Sequence, residues 1–387
     1  MLQHLRFPVA SGMGRRYPEP EHPYRNAFQR DRDRIVHARA FRRLEAKTQV
    51  FTPGLSDHFR NRLTHTIEVS QIARTVASVL GLDEDLTEAL ALAHDIGHPP
   101  FAHAGEEELN RQMGRFGDSF DHNIHALRIV EKFEQRYARF PGLNLTFEVR
   151  EGMAKHSRDF EPGEIPELDE YLPGKRPPLE AQLIDLADEI AYNSADLDDG
   201  FSAHLFTAEE AAAEVPLYCE ILETVEQQFP GATGREKFQE SLRRLIDVQV
   251  SGLIEGTLEA ARAAGVPDAE AVRQYPQRLA AFTAAAKTAS RDLKSFLYRH
   301  VYSSPALEQG RRESTAMMAE LFAFLLAHPE RLPEAYRESA SAEPPHRLVC
   351  DYIAGMTDSF FRRTYEHMLG PHSSAVVKLD SSAERTP

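Results

Sequence analysis

The segment His94-Asp95-Ile96-Gly97-His98-Pro99-Pro100-Phe101-Ala102-His103 places three imidazoles and a carboxylate within ten residues. Most of its other residues are small or apolar, so charged groups there would be costly without a partner. Two further residues have matching chemistry, His65 in NRLTHT and Asp188 in LADEIAY. Imidazole and carboxylate together suit a divalent first-row metal and leave positions open for water or phosphate. His94 and Asp95 stand about 100° apart around a helix, so they can meet one ion only from a helix end. His65 and Asp188 would complete the shell from neighbouring helices. On the apolar helix that carries Asp188, the residues Asp185, Asp188, Tyr192 and Asp196 form one stripe at i, i+3, i+7 and i+11. Tyr192 and Asp196 therefore lie roughly 6 and 12 Å beyond Asp188 along the axis.

The elements that must position these groups read as helices. Helical patterning begins near Asn26 and runs through RDRDRIVHARAFRRLEAKT. After a loop at TPGLSD, a second helix is expected through Val79, with Gly81 past its end. Its apolar stripe is Leu63, Ile67, Ser70, Ala73, Val76 and Leu80. Asp83 is expected to cap a third helix that Gly97 and Pro99–Pro100 stop near Ile96. Another should run from Asp121 to about Arg139. An acidic Pro/Gly-rich loop (157–178) precedes the long apolar helix from Leu179 to about Leu197. Residues 1–25 lack a period and read as a loosely ordered arm. The Ser/Pro-containing tail, 371–387, reads as disordered. The chain is expected to be all-α.

Composition narrows the function classes. The 387 residues carry 45 Lys/Arg and 60 Asp/Glu, a net charge of -15. Residues 1–62 are nonetheless basic, at +7, leaving -22 for the remainder. Such a chain is a poor general binder of nucleic acid, whose phosphates dominate affinity. Cys219 and Cys350 form no CxxC pattern, so a cysteine zinc site or disulfide scaffold is excluded. No run approaches the about 18 apolar residues of a membrane span. A soluble, cytoplasmic protein is expected.

NRLTHT, LAHDIGHPPFAHAGEEELN, FDHNIHA and LADEIAYNSADLDDG together resemble the HD-domain phosphohydrolases, and among them the bacterial deoxyguanosine-triphosphate triphosphohydrolases. FRRLEAKTQVF and DYIAGMTD fit the same pattern, so the likeness covers roughly residues 25–370. It implies an HD-domain core over 26–200 and a helical region over 201–370 that completes the nucleotide pocket and oligomer contacts. It makes His65, His94, Asp95 and Asp188 the metal ligands and sets His98, His103, Glu106 and His122 around the attacked phosphorus. Glu106 would orient His103. The resemblance assigns Arg62 to phosphate, Gln49 to sugar and base, Tyr192 and Asp196 to the sugar, and Lys294 and Tyr298 to the segment closing over the nucleotide. Val50 and Tyr298 are expected to fill the space of a 2′-hydroxyl. Arg42, Arg43 and Lys47 could meet phosphate or a neighbouring subunit. His125 reads as structural.

The reaction so implied is metal-dependent hydrolysis of a deoxynucleoside triphosphate to deoxynucleoside and inorganic triphosphate. The metal would be Mg, Mn, Co or Fe. The resemblance also implies a nucleotide activator, contact with single-stranded DNA, and a homo-oligomer, a hexamer by analogy. Two other readings stand beside it. One is a different HD nucleotide phosphohydrolase, such as a monophosphatase or an alarmone hydrolase. The other is a nucleotide-sensing or single-strand-binding regulator.

Overall fold

Asn26 accepts from the Gln29 amide while the Gln29 side chain accepts from Asn26 N–H, a capping box that starts the first helix. The computed structural model describes residues 1–51, 59–338 and 343–370, and there it contains helices and no strand. The helices are α1 (Ala27–Val36), α2 (Arg39–Arg43), α3 (Arg62–Leu80), α4 (Glu84–Ala93), α5 (Ala102–Gly114), α6 (His122–Arg128), α7 (Phe147–Ala154) and α8 (Leu179–Ser202). There follow α9 (Ala208–Glu214), α10 (Pro216–Gln228), α11 (Gly234–Ala264), α12 (Ala269–Gln274), α13 (Ala284–Leu297), α14 (Pro305–Ala327), α15 (Glu334–Glu338), α16 (Pro345–Ala354) and α17 (Asp358–Leu369). The chain is all-α, as its periodicity indicates. No helix among the described residues is long and apolar enough to cross a membrane.

Three apolar clusters meet around the chemistry-bearing segments. The largest joins α1, α3, α4, α7 and the first half of α8 through residues such as Ile35, Val76, Leu90 and Ile184. A second gathers Leu197 near the end of α8 with α9–α11 and α13. A third joins α5 to α14, α16 and α17. The long helix α8 thus runs from the first cluster into the second, carrying Asp188 and Asp196 past the junction.

Several expectations are corrected. Residues 1–25 are not loose: Leu2, Leu5 and Phe7 are buried in the main cluster, and Phe7 N–H donates to Glu180 at 2.9 Å. Long-range bonds order this arm, and they leave no period in its sequence. The helix from Asn26 breaks at Ala38, which is extended; the Glu134 carboxylate accepts from Ala40 N–H (2.7 Å) and starts α2 afresh. Ile67, placed on the buried stripe of α3, is 54% exposed, and Val69, Ile72 and Ala77 are buried instead. The helix opening at His122 ends in a π-turn over Ile129–Phe133, short of Arg139. Helices α5 and α7 have no counterpart in the periodicity reading. The TPGLSD loop and the 371–387 tail lie outside the described residues.

Candidate active site

The start of α3, the end of α4 and the middle of α8 bring the first group together. Asn61 caps α3 by accepting from Thr64 N–H, which sets His65 on its first turn. His94 ends α4, whose start Asp83 caps as expected. Gly97 lets the following turn approach α6: a Cβ there would stand 1.9 Å from the His122 carbonyl oxygen. His65 Nε2 lies 2.8 Å from Asp188 Oδ1, and His94 Nε2 lies 3.9 Å from that same oxygen. One ligand atom from each of His65, His94 and Asp188 falls within 4.8 Å of the others.

These residues fit a divalent cation on a specific observation. His94 Nδ1 lies 2.6 Å from the Ala91 carbonyl, which accepts only a proton-bearing nitrogen. Burial lowers the pKa of His94, so the neutral ring's Nε2 offers a lone pair, and that buried atom has no hydrogen-bond partner. Asp95 sits to one side of the three. Its Oδ1 is 3.5 Å from His94 Nε2 and 3.1 Å from His98 Nε2, while Oδ2 accepts from Arg62 at 2.8 Å. Burial alone would raise the pKa of Asp188, but the hydrogen bond and charge of His65, with His94 and His156 nearby, hold it well below the usual carboxylate range. Burial opposes a charge on His65, and Asp188 outweighs it and pushes that pKa up.

A second group adjoins the first. His98 and His122 stack with ring centroids 3.9 Å apart, and Glu106 Oε1 lies 2.7 Å from His122 Nδ1. Glu106 was expected to orient His103; it lies 3.8 Å from His103 Nδ1 and holds His122 more closely, accepting from its backbone N–H as well. His122 opens α6 directly opposite the first turns of α5, whereas the His103 side chain is 81% exposed. Burial favours the charge-free form of Glu106, yet His103 and His122 keep it ionised far below its ordinary value. Burial lowers the pKa of His98 well below 6.5, and Arg62 and His122 lower it further.

The far end of α8 is differently equipped. Asp196 is buried and accepts from the Tyr302 hydroxyl. Burial raises its pKa to about 7, against the lowering by Tyr302. Lys294 pairs with Glu189 (2.7 Å) and lies 5.4 Å from the Tyr192 ring centroid. Val50 packs against the second cluster, and Gln49 has a buried Oε1 without a partner. Tyr298 departs from expectation: it is 67% exposed, while Tyr302, four residues later across a π-turn, reaches Asp196.

A model of the HD domain matches residues 62–193, and one of the phosphohydrolase-associated domain matches residues 280–367. A deoxyguanosinetriphosphate triphosphohydrolase-like protein of Geobacter sulfurreducens is 43% identical over 360 residues, covering 93% of this chain and 92% of its own. The chain belongs to this family. Another such protein, from Ralstonia nicotianae, is 44% identical over 353 residues, covering 91% of this chain and 90% of its own. As an HD-domain phosphohydrolase, the protein carries candidate site residues in both matched regions. The HD domain supplies Arg62 to Tyr192, and the phosphohydrolase-associated domain supplies Lys294 and Tyr302.

Two residues of this phosphohydrolase, His156 and Tyr302, escaped the sequence reading. His156 lies just beyond α7; its Nδ1 is 2.7 Å from Asp185 Oδ1 and its ring 5.2 Å from that of His94. Burial opposes its charge, but Asp185 outweighs it and raises the pKa. The only sequence signal was indirect, since Asp185 shares a helix face with Asp188. Tyr302 was missed because a regular helix would put its side chain on another face. Lys47, left open between phosphate and subunit, is buried and donates to the His98 and Ala354 carbonyls; burial, then Arg43 and Arg62, lower its pKa to about 7. Of its neighbours, Arg43 donates to the Gly355 carbonyl and Arg42 is exposed. His125 is buried against Asp351, in keeping with a structural role.

Proposed function

We propose that this phosphohydrolase is a metal-dependent dNTP triphosphohydrolase, releasing deoxynucleoside and inorganic triphosphate. The observation that carries the reading is the pair of adjoining groups, His65–His94–Asp188 and His98–Glu106–His122, with Asp196 and Tyr302 further along α8. The relatives' printed name supports the substrate class. His65, His94 and Asp188 would hold the ion, with Asp95 completing the set. A divalent ion there supplies Lewis-acid polarisation and neutralises charge developing on the phosphate.

The protein's own side chains account for the remaining work. Arg62 orients Asp95 through its hydrogen bond and has a partnerless buried Nε to direct at a phosphate oxygen. Neutral His98 serves as a hydrogen-bonding group rather than as the acid. Glu106 fixes Nδ1 of His122, leaving the opposite ring nitrogen to give a proton to the departing 5′-oxygen. His103 shares that carboxylate and stands at the solvent side, able to reload the proton. Asp196 with Tyr302 would bind the 3′-hydroxyl, and Tyr192, Gln49 and Val50 would flank the ring and base. Water attacks the α-phosphorus, the bond to the 5′-oxygen breaks, and the triphosphate leaves intact.

The test is a screen of all four dNTPs, singly and mixed, with Mg²⁺, Mn²⁺ or Co²⁺, read by product identity. Tripolyphosphate with deoxynucleoside is the expected outcome. Orthophosphate would instead indicate another phosphohydrolase activity. Mixtures that outpace every single dNTP would reveal the activating nucleotide proposed from the family resemblance. Sizing with and without nucleotide tests the homo-oligomer, and added single strands test the DNA contact.

A further inference from the structure

The site's side chains come mainly from α3–α6 and α8, yet part of the backbone that aims them is fastened from the far end of the chain. Asp358, the first residue of α17, is buried. Its Oδ2 accepts from the backbone N–H of Thr48 at 3.0 Å and from the Thr48 hydroxyl. Its Oδ1 accepts from the backbone N–H of Phe101 at 3.1 Å. Thr48 immediately precedes Gln49 and Val50, and Phe101 stands between His98 and His103. One carboxylate therefore joins a segment assigned to the sugar with the corner that starts the helix of His103 and Glu106.

That corner is strained. Phe101 and Ala102 are both left-handed, with φ of 66° and 55°, and neither is glycine. Side chains rarely adopt this conformation, and it persists where surroundings impose it. The surroundings come from the same stretch as Asp358. Phe361 meets the Phe101 ring edge-on at 5.0 Å, and the Arg362 guanidinium lies 5.2 Å from that ring's centroid. Gly105 lets α5 close over the corner, since a Cβ would stand 1.9 Å from the Pro100 carbonyl oxygen. Lys47 adds a parallel tie between the His98 and Ala354 carbonyls.

We propose that Asp358 is a positioning residue that holds the Thr48–Val50 segment and the Phe101–Ala102 corner in register, aligning the sugar side of the site with its proton-transfer side. The assignment of those two sides rests on the functional reading above. A carboxylate can serve all three donors at once. An asparagine offers one oxygen and turns an NH₂ toward either Thr48 or Phe101, so one tie must fail.

The experiment compares full-length, metal-loaded protein with Asp358→Asn, Thr48→Val and Thr48→Ser. Asp358→Asn should lower kcat roughly 10–100-fold at unchanged metal content, as expected when reacting groups are misplaced. Hydrogen–deuterium exchange, read without substrate, should rise in peptides covering 47–50 and 99–103 while the rest of α3, α4 and α8 stays protected. Thr48→Val, which removes only the hydroxyl donor, should raise KM about two- to tenfold with kcat nearly unchanged, and Thr48→Ser should restore it. Exchange at both segments within twofold of wild type in a folded Asp358→Asn protein would overturn the proposal. So would a kcat loss that merely follows the unfolded fraction. Should Asp358→Asn not fold, Thr48→Val decides: unchanged KM and unchanged exchange at both segments refute the tie. Because exchange needs no turnover, a protein inactive on every dNTP would refute the functional reading while exchange still judges Asp358.

Discussion

Half-buried Asp188 and fully buried Asp196 stand two turns apart on one helix, yet their charge states are driven in opposite directions. Imidazoles from His65, His94 and His156 surround Asp188 and hold it ionised. Asp196 has the Tyr302 hydroxyl, while burial and the neighbouring Asp199 raise its pKa to about 7. Burial exacts the same kind of penalty at both positions, so the partners decide the outcome. On the proposed function, the Asp188 end keeps negative charge beside a cation at the phosphate. The Asp196 end would exchange neutral hydrogen bonds with a sugar hydroxyl. That contrast is what a site needs when one end of its ligand is highly charged and the other is not.

The largest effect should come from breaking the charged end. Asp188→Ala or His94→Ala should remove bound divalent metal and turnover together, since each deletes a ligand. Full occupancy by elemental analysis in both variants would reject the ligand set. Next in size is the proton-transfer group. His122→Ala should retain metal and lose about 10²–10⁴-fold in kcat, and His103→Ala should move in the same direction. Metal loss in either would move that histidine into the ligand shell. Glu106→Gln should follow with a smaller kcat loss, also at full metal content.

The neutral end should respond to pH. The Asp196 pKa is raised from 3.8 to about 7 in the folded chain, so the stability linked to its protonated form is full below about 4 and is lost as pH rises through 7. Asp196→Asn cannot ionise. Its unfolding free energy should match or trail wild type near pH 4 and gain on it by of order 1–4 kcal/mol at pH 8. Parallel denaturation curves with no gain across that range would contradict the contrast. The smallest effect concerns the tyrosines. Tyr302→Phe should raise KM for a dNTP about two- to tenfold by removing one hydrogen bond. Tyr298→Phe should leave KM unchanged, and the reverse ranking would restore Tyr298 to the sugar.

What the sequence disclosed follows the range of the forces involved. The grouping of His65, His94 and Asp188 was legible because such residue types are unusual on apolar helices. Asn26, Asp83 and Gly81 marked helix ends because caps are local. The Glu106 pairing was not legible, because an i, i+3 neighbour such as His103 is visible in sequence and a residue sixteen positions away is not. Tyr302 was obscured by a π-turn, which shifts the face that a 3.6-residue period would assign. His156, Asp358 and the packed N-terminal arm depend on contacts between distant segments, and such contacts impose no local pattern. Helix α5 begins at a left-handed corner instead of a capping residue, so its start carried no signal.

The central claim, attack of water on the α-phosphorus at the charged end, is tested most directly by running the reaction in H₂¹⁸O and locating the label by ³¹P NMR and mass spectrometry. The account predicts one ¹⁸O in inorganic tripolyphosphate and none in the deoxynucleoside. Label in orthophosphate, or in the 5′-hydroxyl of the deoxynucleoside, would contradict it.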